Sequence, residues 1–354
     1  MSLIQTHDLF NDLRVQKESK SRNPRPMYKT ALPALAEDGL QTLAPSAFIL
    51  REDGGIETNG LATGQPAADS PPRLILRDDA RGLWIYHGNA LKLLDAIAAK
   101  YPQGRFDTIF ADPPYFLSNG GITCHAGRMV KVDKGDWDKS RGAELNHEFN
   151  LEWLRRCQRV LRPNGTIWVS GTHHVIFSIG FAMQQLGYKI LNDIAWEKPN
   201  PPPNLSCRYF THSTETILWA AKNEKSKHTF HYQEMRKING QQMKTVWRET
   251  EFPIDQEEMP LIWTVAAPSN GEKIFGRHPT QKPVALIKRC LLASTNEGDL
   301  ILDPFLGSGT TAVAALEMKR RCVGIELDES YAKLSLQRLK MSSKSTLASA
   351  RLRC

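Results

Sequence analysis

No two of the six cysteines (124, 157, 207, 290, 322 and 354) form a C-x-x-C pair. The spacing of a zinc ribbon is therefore missing, no metal site is expected, and reduced thiols are the simplest account of the scatter. No apolar run approaches the roughly 20 residues that a membrane-spanning helix needs, and no secretory leader is visible. The expectation is a soluble intracellular protein with no membrane partner. Acidic residues are in deficit, 38 against 46 basic, which gives a formal charge of +8 and a pI near 9.1. That balance favours a polyanionic partner and says nothing about fold. With 354 residues and 41% apolar content, the chain can bury a substantial core in one large α/β domain with insertions, or in two domains.

Two nucleotide-binding signatures are also incomplete. The segment Asp303-Pro304-Phe305-Leu306-Gly307-Ser308-Gly309-Thr310-Thr311 follows a short apolar strand and precedes an Ala-rich helix. No Lys follows its last glycine, so the phosphate-loop pattern fails, and the further glycine of the dinucleotide fingerprint is absent. What remains is a glycine turn into a helix N-terminus, where a ligand can approach the backbone closely. Roughly 20 residues on, Arg321–Glu326 reads as a strand ending in a carboxylate placed to bind ribose hydroxyls.

The most informative residues are Asp112-Pro113-Pro114-Tyr115, at the end of the apolar run Arg105–Ala111. A carboxylate, two prolines and an aromatic ring at a strand's carboxyl end can hold a planar amine. The Asp112 carboxylate and the Pro113 carbonyl can each accept a hydrogen bond from an exocyclic NH2. Tyr115 offers a face for the ring that carries it.

Along the chain, residues 1–75 carry basic clusters and a Gly/Pro/Ala-rich stretch and read as a loosely ordered extension. Strands and helices alternate from Gly82 onward: strand 83–87, helix 90–101, the Asp112 strand, and a long polar loop from Phe116 to about Ala143. Then come helix 149–161, strand 166–170, helix 175–186, and strands 189–196 and 215–221. Residues 223–275 break the alternation and look like an insertion, with basic residues at Lys225, Lys227, Arg236, Lys237, Lys244 and Arg248. Helix 283–293, the Asp303 and Glu326 strands and a last helix to about Met341 complete the pattern. Such alternation predicts a doubly wound, mostly parallel sheet with ligands at the strands' carboxyl ends, where Asp112, Asp303 and Glu326 all fall.

With both motifs in hand, the chain resembles the S-adenosylmethionine-dependent DNA amino-methyltransferases in their β-type, circularly permuted order. The catalytic half precedes the cofactor half, and target recognition lies between. Phe110–Lys139, Pro203–Trp219 and His278-Pro279-Thr280-Gln281-Lys282-Pro283 look most like the adenine methyltransferases of DpnII- and MboII-type restriction–modification systems. The resemblance covers roughly residues 83–340 and implies a Rossmann-like methyltransferase fold. Its parts would be a catalytic half at 76–222, a target-recognition insertion at 223–275, a cofactor half at 276–341 and a tail at 342–354.

By motif, the resemblance assigns Asp112, Pro113, Pro114 and Tyr115 to the target base. To S-adenosylmethionine it assigns Asn89, Asp112, His278, Thr280, Gln281, Lys282, Pro283, Asp303, Phe305, Gly307, Ser308, Gly309, Thr310, Thr311 and Glu326. It implies DNA as substrate, a flipped-out adenine methylated at N6, a bacterial cytoplasmic location, a cognate restriction endonuclease as partner, and a homodimer. Two alternatives stay open. One is cytosine-N4 or RNA transfer, against which Asp112 speaks, since related N4 enzymes more often carry Ser there. The other is a catalytically silent regulator on the same scaffold, which measurable transfer would eliminate.

Overall fold

The computed structural model describes residues 48–50, 56–58, 71–118, 122–125, 128–131, 138–198, 201, 203–204, 207–247 and 280–351. The chain divides into units 1–44 and 45–354, and the first lies outside the described residues. In the second, β1 (Phe48–Leu50) and β2 (Ile56–Thr58) form an antiparallel pair. The elements that follow are β3 (Arg73–Asp78), β4 (Leu83–His87), α1 (Ala90–Lys100), β5 (Phe106–Ala111), β6 (Ile122–His125), β7 (Arg128–Lys131), α2 (Ala143–Val160), β8 (Leu161–Gly171) and α3 (Ile176–Gln185). The remainder are β9 (Lys189–Glu197), β10 (Thr214–Ala221), α4 (Tyr232–Asn239), β11 (Val246–Trp247), α5 (Val284–Ser294), β12 (Leu300–Asp303), α6 (Thr310–Glu317), β13 (Arg321–Glu326) and α7 (Glu329–Arg351).

Nine strands form one sheet in the order β11-β9-β10-β8-β5-β12-β13-β4-β3. The run β8-β5-β12-β13-β4 is parallel throughout, while β10 and β3 are antiparallel to their neighbours. Alternation along each strand explains why both faces are covered. On β4, Trp84 and Tyr86 enter one core cluster, and Leu83 and Ile85 the other. On β12, Leu300 and Leu302 face the first cluster and Ile301 the second. Leu93 of α1, Trp153 of α2 and Ile179 of α3 fill the first layer, and Leu286 of α5, Ala312 of α6 and Leu339 of α7 the second. The sheet is doubly wound, as the alternation predicted.

Several boundaries differ from the sequence reading. The polar loop from Phe116 contains an antiparallel pair, β6 with β7, because Ile122–His125 and Arg128–Lys131 are each extended segments long enough to share a ladder. The last helix runs past Met341 to Arg351, through Ala, Lys, Leu and Arg and with no Gly or Pro to stop it. The division at residue 75 cuts through β3, which closes the sheet edge against β4. The described part of the 223–275 segment is built into the scaffold. Trp247 of β11 pairs with Trp196 of β9, and the buried Met235 of α4 and Trp247 join the second core cluster. Trp168 stacks on Trp219 with centroids 4.7 Å apart, and Trp247 lies 6.3 Å from Trp168, so Trp247 packs in the core.

Candidate active site

Asp112 directly follows β5, Asp303 ends β12 and Glu326 ends β13, three neighbouring parallel strands whose carboxyl ends open on one side. A cavity of about 290 Å³ sits there. Its wall includes Asn89, Asp112, Pro114, Thr280, Gln281, Lys282, Asp303, Phe305, Gly307, Ser308, Thr310, Thr311 and Glu326. Residues read from two motifs nearly 200 positions apart therefore share one space. Pro113, Tyr115, Pro283 and Gly309 stand behind that wall, and His278 lies outside the described residues.

Asp112 is held on both oxygens. Its Oδ1 accepts from the Tyr115 hydroxyl at 2.7 Å and from Ser170 Oγ at 2.6 Å; its Oδ2 accepts from Lys282 Nζ at 2.6 Å. Burial by itself would raise this carboxyl, but the Lys282 charge and hydrogen bond, with those of Ser170 and Tyr115, hold it below the usual carboxylate value. Lys282 is also buried, which would lower it. Asp112 and Glu215 outweigh that and keep it above its ordinary value. Glu215 stands 3.6 Å from Lys282 and forms a second ion pair with Lys198.

The structure corrects one expectation for Tyr115. It is 4% exposed and packed in the first core cluster, so its ring has no open face for stacking in this conformation. Its hydroxyl orients Asp112 instead, and burial next to the Asp112 and Glu215 charges pushes that hydroxyl well above the usual tyrosine value. The turn itself is clamped by Asp138, which is fully buried. Asp138 accepts from the backbone N–H groups of Tyr115 (2.9 Å), Phe116 (2.8 Å) and Leu117 (3.2 Å), and from Ser118 Oγ (2.9 Å). Phe116 adopts φ 58°, a left-handed conformation that a bulky residue keeps only when its surroundings fix it.

At the other end, Glu326 Oε2 accepts from Gly307 N at 2.6 Å and Oε1 from Asp328 N at 2.8 Å. Burial raises Glu326 to about 7, against the lowering effect of those amides. Burial likewise lifts Asp303 to about 7, opposed by hydrogen bonds from Thr311 and the Phe305 amide. Gly309 caps α6 at φ 82°, and a Cβ there would meet Ser335 Cβ at 2.9 Å, so only glycine fits. The Ser308 carbonyl and hydroxyl, with Thr310 Oγ1, accept from buried Arg338 of α7 at 2.8–2.9 Å. Asn89 caps α1 by accepting from Leu91 N at 2.9 Å while also lining the cavity.

Ser170 and Arg338 were not singled out by the sequence, and Asp138 and Glu215, though inside the Phe110–Lys139 and Pro203–Trp219 segments that carry the resemblance, were given no role there. Ser170 and Arg338 lie in no contiguous motif with Asp112 or Gly307, and all four act across the tertiary fold.

The cavity fits S-adenosylmethionine in kind. Its volume is near the lower end of the roughly 300–1,000 Å³ usual for small-ligand sites. Glu326 keeps acceptor capacity at its wall, and the glycine turn exposes backbone beside it.

Comparison with known proteins agrees with this layout. A family described as DNA methylase, of the N6/N4 type, matches residues 106–337. The type II methyltransferase M2.DpnII of Streptococcus pneumoniae is 50% identical over 256 residues, 72% of this chain and 88% of that protein. M2.MboI of Moraxella bovis is 44% identical over 261 residues, 73% of this chain and 88% of that protein. Among solved structures, the M1.HpyAVI–SAM complex aligns with a TM-score of 0.50 at 26% identity, covering 73% of this chain and 98% of that one. The cytosine-N4-specific PvuII DNA methyltransferase aligns with a TM-score of 0.52 at 17% identity, over 73% and 86%, and so shares the fold. A buried, lysine-paired Asp-Pro-Pro-Tyr turn shares one cavity with a Gly-x-Gly turn backed by a strand-end glutamate, and the chain belongs to the N6/N4 family of DNA methylases.

Proposed function

We propose that this protein transfers a methyl group from S-adenosylmethionine to the N6 amino group of adenine in DNA. The single observation that carries the reading is the shared cavity. Asp112, a carboxylate held ionised, and Glu326, at the end of the glycine-turn half, open onto the same space. S-adenosylmethionine supplies a sulfonium methyl already activated for displacement, so no covalent enzyme intermediate is called for.

The chain's own residues then have definable tasks. Asp112 accepts a hydrogen bond from the exocyclic amine, which favours a tetrahedral nitrogen whose lone pair points at the methyl group. With Oδ1 taken by Tyr115 and Ser170, the remaining lone pair on Oδ2 is the one available to the substrate. The Pro113 carbonyl is the second acceptor. Lys282 keeps Asp112 charged without neutralising it by proton transfer. Phe305, Gly307, Ser308, Gly309, Thr310 and Thr311 shape the cofactor side, Asn89 lies at its edge, and Glu326 takes the ribose hydroxyls. An amine in a duplex is out of reach, so the base is flipped into the cavity.

Transfer to N6 rather than to cytosine N4 is favoured by the resemblance, since related N4 enzymes more often carry Ser where Asp112 stands. Restriction–modification as context, a cognate endonuclease, a homodimer and a cytoplasmic setting belong to the same reading. Among the described residues, no helix is long and apolar enough to cross a membrane. The deciding experiment incubates the purified chain with DNA and labelled S-adenosylmethionine, then separates the digested nucleosides. Label in N6-methyl-2′-deoxyadenosine is the expected outcome. Label in N4-methyl-2′-deoxycytidine, or none at all, refutes the assignment.

A further inference from the structure

Behind Asp112 lies a row of alternating charges, of which the methyl-transfer chemistry above leaves Glu215 and Lys198 unused. Lys282 Nζ is 2.6 Å from Asp112 Oδ2 and 3.6 Å from Glu215 Oε2; Glu215 Oε1 pairs with Lys198 Nζ. The side chains become progressively more exposed in that order beyond Lys282, from 6% to 10% and then 31%. Glu215 sits on β10, whose Thr216 pairs with Gly171, so β10 brings it to the carboxyl end of β8 beside Ser170. No other carboxylate lies within ion-pair distance of Lys282 among the described residues.

Asp112 and Lys282 alone sum to zero charge. A neutral pair is a poor wall for a site that must hold a cationic sulfonium and then a nitrogen gaining positive charge. A lysine ammonium in that wall repels both. Glu215 returns the buried cluster to a net negative charge, whereas Lys198, at the rim, is partly screened by water.

We propose that Glu215 is a positioning residue that fixes Lys282 over Asp112 and keeps the buried cluster net negative, so that the site favours a charged methyl donor over its neutral product. This rests on reading the cavity as the S-adenosylmethionine site. Glu215 touches neither the cavity nor Asp112, and its ion-pair contact with the site is Lys282.

The test is a binding ratio. The affinities of the full chain for S-adenosylmethionine and for S-adenosylhomocysteine, which differ by the sulfonium charge, are measured by calorimetry without DNA. Glu215→Gln keeps the shape and removes the charge. It should lower the preference for S-adenosylmethionine over S-adenosylhomocysteine by about tenfold, with affinity for the neutral ligand nearly unchanged. Lys198→Met removes the outer cation and should move the ratio the other way, by about twofold, because that group is partly solvated. If Glu215→Gln does not fold, the sign of the Lys198→Met shift decides. A merely structural role would weaken both ligands alike; equal losses, or an unaltered ratio in the folded variants, overturn the inference. Failure of the unaltered protein to bind either ligand would instead refute the cofactor assignment.

Discussion

At the scale of single residues, the site depends on two buried carboxylates with different tasks. Asp112 is buried yet held ionised by Lys282, Ser170 and Tyr115. Asp112→Ala should abolish methyl transfer and, because it takes one negative charge from the same buried cluster, lower S-adenosylmethionine affinity by at least as much as Glu215→Gln does, with affinity for S-adenosylhomocysteine nearly unchanged. Turnover and calorimetry, measured separately, check this; near-normal turnover would remove Asp112 from the chemistry. Asp138 acts one step back. Its carboxylate satisfies three consecutive backbone N–H groups and one hydroxyl. In Asp138→Ala those buried donors lose their acceptor, at about 1–3 kcal/mol each where water does not replace it. Turnover should fall by about a hundredfold and the melting temperature should drop, with cofactor affinity retained by whatever protein stays folded. Unaltered turnover would show that the Asp112 turn holds its shape without the clamp. The motif Asp112–Tyr115 was legible in the sequence because its parts are contiguous. Asp138 fell inside the Phe110–Lys139 stretch that carries the resemblance, but its clamping role was not legible, because an aspartate in a polar loop looks like any solvated one until the chain folds back over Tyr115.

At the scale of elements, the glycine turn between β12 and α6 is held from three sides: by Glu326 of β13 on Gly307, by Arg338 of α7 on Ser308 and Thr310, and by Ser335 against Gly309. The glycines and the strand-end glutamate could be read from their spacing. Arg338 could not, since a basic residue in a helix of mixed character is normally on the surface. The raised carboxyls give this turn a pH signature. Asp303 and Glu326 both titrate near 7 in the folded chain, above their usual values of 3.8 and 4.5. Their contribution to ligand-free stability is therefore complete below those lower values and is lost as pH rises through about 7. Cofactor binding has the opposite sign, because ribose hydroxyls donate more strongly to an ionised carboxylate. Affinity for S-adenosylmethionine should thus rise by up to about tenfold between pH 6 and pH 8. Glu326→Gln should flatten that profile. A pH-independent affinity in the unaltered protein would mean that Glu326 is already ionised, or is not the ribose ligand.

At the scale of the whole molecule, the sheet's polarity bears on where DNA sequence is read. The charge of +8 supplies a general attraction for a polyanion, but phosphate contacts only position a duplex, and specificity needs contacts to base edges. In the sequence, the entire 223–275 segment stood out as the recognition insertion because its charge and aromatics break the α/β alternation. The register of β10 divides it. Ala221, at the end of β10, pairs with Thr166, at the amino-terminal side of β8, and Lys227 N donates to Asn164 Oδ1 at 2.9 Å. Exposed Lys225 and Lys227 therefore lie at the end of the sheet away from Asp112. The chain then passes through α4 against α5, and β11 runs parallel to β9 toward the site side. It leaves the sheet at Trp247, opposite Trp196, and returns at Thr280 on the cavity wall. Residues 223–247 are thus scaffold, and residues 248–275 lie outside the described residues, between Trp247 and Thr280. Exchanging 248–275 for that of a relative with another target should move the methylated sequence while leaving the Asp112 chemistry intact. Exchanging 223–247 should destabilise the sheet through Met235 and Trp247 without changing preference. Methylome sequencing of a methylation-free host expressing each chimera reads both outcomes. An active 248–275 chimera that keeps its original site would place recognition in the Phe116–Ala143 segment.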